Sequence, residues 1–197
     1  MVMPDIPARP YLYGGRELCA TGACLLTASS DWLGRAIRIF EGDDAWCSHA
    51  APVVRFPVDM VGAERVTLIE ALEHGLTPTY LSHYFGDDFA GRLFLFMPDG
   101  LTPEIQARFR AWMLDKMFSQ TGYDYGSLAR QVAGHAQEDD ELLFCSEAWG
   151  MAAEAAGLPR LPDAPQGLAP QPPDIPRWWA GKVVELIGPF KGAQVAA

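Results

Sequence analysis

Hydrophobic positions along this chain follow two different rhythms. In one they cluster in short runs bounded by Gly, Pro and polar residues. Gly22 to Ala28 is such a run and predicts a strand. Ala45 to Phe56 predicts another, with Val53, Val54 and Phe56 as its β-formers and Pro57 as its stop. Arg65 to Leu72 predicts a third. Gly91 to Met97 predicts a fourth, and its unbroken Leu93-Phe94-Leu95-Phe96 implies cover on both faces.

In the other rhythm apolar residues recur every three or four positions. Ser30 or Asp31 can cap a helix carrying Trp32, Leu33, Ala36, Ile37 and Phe40, with a turn at Gly42, Asp43 and Asp44. Thr102 followed by Pro103 starts a helix whose buried face is Ile105, Phe109, Trp112, Met113 and Met117, with Gly122 as its stop. A last helix runs from Cys145 to Ala156 and ends at Gly157 and Pro159. Ala148, Ala152, Ala155 and Ala156 keep it thin enough for close packing.

The remaining segments are irregular. Residues 1 to 15 read as a lead-in rich in Pro, Gly and Tyr. A polar stretch follows Tyr123-Asp124-Tyr125 as far as Glu141. Prolines dominate from Pro159 to Pro176, an extended arm that Trp178, Trp179 and Val183 to Ile187 tie back onto the body. There is no internal repeat. The expected class is α+β in one domain over residues 1–197, with a core of about 22–157 and a Pro-rich arm of about 158–197.

Composition narrows the function classes. With 49% hydrophobic and 20% charged residues, the 197-residue chain can bury a core and is not a disordered one. Its net charge of −10 repels phosphate, which argues against nucleic acid and anionic membrane surfaces as partners. No charged start precedes an apolar leader, and no run reaches the roughly 18 to 20 apolar residues of a span. The expectation is a soluble chain without stable membrane insertion, cytoplasmic by default. A phage particle or a specialised secretion route would leave the same signature. P-loop, GxGxxG, HExxH and GxSxG patterns do not occur, so nothing calls for a nucleotide or other cofactor.

Candidate chemistry centres on a cysteine. Cys19, Cys24, Cys47 and Cys145 contain no close CxxC pair, which reads as four reduced thiols. Cys19, Cys24, Cys47 and His49 could be imagined around zinc, but structural zinc favours paired ligands, so no metal is expected. Cys145 follows Leu142-Leu143-Phe144 and opens a helix. There the unpaired N–H groups and the helix dipole favour a thiolate and can hold an oxyanion; the alternative is a buried structural thiol. His49 lies in a strand after Ser48 and suits a general base, the alternative being a hydrogen-bonded structural histidine. Cys47, two residues earlier, could share its face and crowd the site or act as a redox partner. Glu70 ends an apolar β-run. It either orients an imidazole or points to solvent from an edge strand. His74, His83 and His135 read as surface residues, and Glu73, Asp87 and Asp88 as solvated charges.

Together these pieces resemble a known family. The order is Ser48-His49, Ile69-Glu70-Ala71, Tyr123-Asp124 and Cys145-Ser146-Glu147. It is similar to the permuted NlpC/P60 papain-like proteins, closest to the YiiX/YaeF-like branch and more distantly to lecithin:retinol acyltransferase. In that branch the histidine precedes the cysteine, as His49 precedes Cys145. The likeness covers about residues 22–173 and implies a circularly permuted papain-like fold, a small antiparallel sheet or barrel packed against helices. It implies Cys145 as nucleophile, His49 as base and Glu70 as the residue that orients the base. Tyr123, Asp124, Ser48 and Ser146 would shape the substrate cleft. The function implied is a cysteine hydrolase or acyl transferase working through an acyl-enzyme. Its substrate would be a small peptide, a peptidoglycan fragment or an acyl lipid. A different class remains open: a papain-like scaffold without turnover that binds or builds, for instance in a phage. A third reading is a small interaction protein with Cys145 in its core.

Overall fold

A computed structural model describes residues 6–10, 15–29, 46–56, 65–72, 75–86, 89, 91–119, 122–123, 142–143 and 145–188. The helix expected over Trp32 to Phe40 and the turn after it lie outside them. The architecture is α+β. Seven strands form one sheet: β1 (Ala8–Pro10), β2 (Cys24–Ser29), β3 (His49–Val54), β4 (Thr67–Leu72), β5 (Gly75–Tyr80), β6 (Gly91–Pro98) and β9 (Gly181–Ile187). Their order is β1-β9-β6-β2-β3-β4-β5. Short β7 (Gly122–Tyr123) and β8 (Leu142–Leu143) pair separately. The sheet is mixed rather than wholly antiparallel, because β1 runs parallel to β9. Among the described residues three α-helices accompany the sheet: α1 (Pro103–Phe118), α2 (Cys145–Ala156) and the single turn α3 (Ile175–Trp178). Among the described residues no helix is long and apolar enough to cross a membrane.

Alternation explains the two cores. Along β6, Phe94 and Phe96 join one buried cluster while Leu93 and Leu95 join another, as expected of a strand covered on both faces. The first cluster holds the helices. Phe109 and Met113 of α1 are buried there, and Ile105, Trp112 and Met117 pack beside them. Thr102 caps α1 by accepting from the Ile105 N–H, with Pro103 next, as its sequence predicts. The helix ends at Phe118, short of Gly122, which instead begins β7.

The span of α2 coincides with its sequence expectation. Ala148, Ala152, Ala153 and Ala156 are buried; Ala155 is exposed. Gly157, at φ 96°, lets the Leu158 N–H reach the Ala153 carbonyl and the Gly157 N–H reach the Glu154 carbonyl. Those two bonds form a Schellman ending that an L-residue would strain. Trp149 packs edge-on against Phe96 and Trp179 and donates its indole N–H to the Gly22 carbonyl, fastening α2 to the entrance of β2.

Two expectations need correction. The N-terminal lead-in contains β1. The chain returns along β5, a strand not foreseen. The Pro-rich segment is tied back onto the body as expected, through Trp179 and β9, and is itself packed: Ala164, Ala169, Pro170, Pro172, Pro173 and Ile175 are buried before the chain continues as β9 between β1 and β6. Gly150 makes that packing close, since a Cβ there would stand 3.0 Å from the Pro170 ring. Arg160 organises the segment. Its guanidinium lies over Trp178 and Trp179, pairs with Glu154 and donates to the Pro165 and Leu168 carbonyls.

Candidate active site

Packing of α2 against β3 and β4 brings three distant segments together. His49 is the first residue of β3, Glu70 sits within β4, and Cys145 opens α2. Glu70 is not on an edge strand, because β5 flanks β4 on its outer side. The reading of Glu70 as a solvated edge carboxylate therefore fails: the residue is 6% exposed.

His49 Nε2 donates to Glu70 Oε1 at 3.0 Å. With Nε2 occupied, Nδ1 is the nitrogen left for the Cys145 thiol, to which the imidazole is hydrogen-bonded. The sulfur also receives the backbone N–H groups of Ala50 and Ser146. Three donors thus converge on it from the start of β3 and the first turn of α2. Burial alone would raise the Cys145 pKa; His49 and those two N–H groups outweigh it and lower it. For His49, burial favours the neutral ring, but the sulfur and Glu70 together hold its pKa up at about 10. Both shifts favour the thiolate–imidazolium form of the pair.

Glu70 is itself held. Thr79 on β5 donates to Oε2, and Tyr84, in the 3-10 turn Leu81–Phe85, donates to Oε1 beside His49. Burial would raise its pKa; these bonds and the imidazolium bring it down to about 2. Sequence reading passed over Thr79 and Tyr84. The available signal was the β4–β5 hairpin, whose register places Thr79 opposite Leu68, one pleat from Glu70. A cavity of about 330 Å³ lies behind this carboxylate, lined by Glu70, Thr79, His83, Tyr84 and Phe89. His83 is exposed, as the sequence suggested, and also lines the wall of this cavity.

The other cysteines differ. Burial pushes the Cys19 thiol up to about 12 and Cys24 well above its ordinary value. Cys19 belongs to one core cluster while Cys24 and Cys47 belong to the other, so the imagined zinc set does not converge. Cys47 precedes β3, where strand alternation does not apply, and is buried in the helix-side core. The expected cleft residues fare unevenly. Ser48 and Ser146 are buried, and their hydroxyls donate to the Thr27 and Pro170 carbonyls; they brace main chain and do not face a cleft. Tyr123 lies on β7. Asp124 lies outside the described residues. Among the described residues no group of three His, Cys, Asp or Glu is arranged for a metal.

The sequence matches no family model, and no curated protein matches it.

Proposed function

We propose that this chain is a cysteine hydrolase or acyl transferase of the permuted papain-like kind, acting on an amide or an ester. The observation that carries the reading is the hydrogen-bonded series Glu70–His49–Cys145, with the sulfur at a helix start under two further N–H donors. Histidine ahead of cysteine in the chain, a sheet packed on the cysteine helix, and an acid orienting Nε2 all support the same family reading.

In this mechanism the Cys145 thiolate attacks the substrate carbonyl carbon. Negative charge gathers on the carbonyl oxygen, where the Cys145 N–H at the start of α2 helps to hold it. The tetrahedral intermediate collapses, the C–N or C–O bond breaks, and the leaving nitrogen or oxygen takes the His49 proton. A thioester to Cys145 remains. Water, or an acceptor alcohol or amine, then gives a proton to His49 and attacks the thioester carbonyl. The acyl group leaves as acid, ester or amide, and the thiolate–imidazolium pair is restored. Glu70 keeps Nε2 protonated and Nδ1 turned toward sulfur throughout. The resemblance suggests a cell-wall peptide or a lipid-like acyl group as substrate.

Incubation with peptidoglycan fragments and with acyl esters tests this. Wild-type protein should release product from one class, and Cys145→Ala should reduce release at least about 10³-fold. Undiminished turnover by Cys145→Ala would sink the proposal.

A further inference from the structure

We propose that Tyr84 is a positioning residue of this site: its hydroxyl, bonded to the same Glu70 oxygen that holds His49, fixes the carboxylate so that the imidazole faces Cys145. The inference rests on the Glu70–His49–Cys145 reading and adds a residue that its motifs do not contain.

The last torsion of a glutamate side chain is broad, so a carboxylate held by one donor swings readily. Here the plane of the carboxylate is pinned from both ends. Oε1 accepts from His49 and Tyr84, and Oε2 accepts from Thr79. The pins come from outside β3 and α2: Thr79 from β5, and Tyr84 from the turn that follows it. The Tyr84 ring is fixed in turn by edge-to-face packing on Phe89, with centroids 5.1 Å apart. Burial and the Glu70 charge raise the Tyr84 hydroxyl pKa far above its ordinary value, so it remains a donor wherever the site works. The cavity beside it would admit water if the hydroxyl were removed. Such a water can restore a hydrogen bond but not its attachment to the backbone.

The rate of Cys145 alkylation by iodoacetamide, followed from pH 4 to 10 on the full chain, is the test. In Tyr84→Phe the acid limb should move up by about half to one pH unit. The rate at the wild-type midpoint then falls about two- to sixfold, while the alkaline plateau stays within about twofold. Thr79→Val should shift the limb the same way by less. Phe89→Leu loosens the ring that holds Tyr84 but keeps the hydroxyl on Glu70, and should shift the limb by less than Tyr84→Phe. An unmoved limb in Tyr84→Phe, or an equal movement in Phe89→Leu, overturns the assignment. If Tyr84→Phe does not fold, Thr79→Val decides, and an unmoved limb there overturns it too. Should wild-type Cys145 label no faster than Cys19, the underlying relay reading fails instead.

Discussion

Glu70 is one residue through which pH acts on this fold. Its carboxyl sits near 2 against an ordinary 4.5, so the stability it contributes is present in full above pH 4.5 and is lost as pH falls toward 2. Acid denaturation followed by circular dichroism should steepen in that window for wild type and flatten there in Glu70→Gln. The same substitution removes the negative charge beside His49. The pKa of His49 then falls from about 10, the imidazolium no longer favours the thiolate as strongly, and the acid limb of Cys145 alkylation moves up. Alkylation at pH 7 should drop about tenfold or more. In wild type, iodoacetamide at neutral pH should mark Cys145 well before Cys19 or Cys24, whose thiols burial keeps protonated. Mass mapping of the labelled peptides checks the order. Cys145, His49 and Glu70 were legible in the sequence because each breaks its context: a thiol at a helix start, an imidazole and a carboxylate inside apolar strands. Thr79 and Tyr84 break nothing, since hydroxyls are at home on an edge strand and in a turn. Only their approach to Glu70 gives them a part.

At the scale of elements, α2 carries the site and the Pro-rich segment carries α2. Ser146 separates bracing from chemistry. Its hydroxyl ties α2 to the Pro170 carbonyl, while its N–H serves the sulfur. Ser146→Ala should therefore cost about 1 kcal/mol in denaturant titrations and leave Cys145 alkylation within about twofold. A role for that hydroxyl in the cleft would reverse the pattern. The boundaries of α2 were legible because Gly157 and the alanine spacing mark them. The packing of residues 159 to 180 was not. Prolines announce an irregular path without saying what it touches, and the close contact at Gly150 becomes visible only when both partners are in place. β5 escaped notice because Pro78 demotes its run, yet on an edge strand a proline is tolerated.

For the molecule as a whole, the last strand is not an appendage. β9 lies between β1 and β6, so the sheet is built from the beginning, the middle and the end of the chain. Removing residues 158–197 strips the cover from one edge of β6 and takes Trp179 from the core. The truncated chain should lose cooperative thermal unfolding, and calorimetry checks this. The α+β class was legible from the two apolar rhythms, whereas strand order depends on pairings far apart in sequence that no local pattern encodes. Three segments must meet before His49, Glu70 and Cys145 touch, and the thiol has its special character only while they do. A ribosome-bound or misassembled chain therefore carries an ordinary cysteine, safe toward its neighbours. Reactivity becomes a gauge of native assembly, and its loss with rising denaturant should trace the same curve as global unfolding.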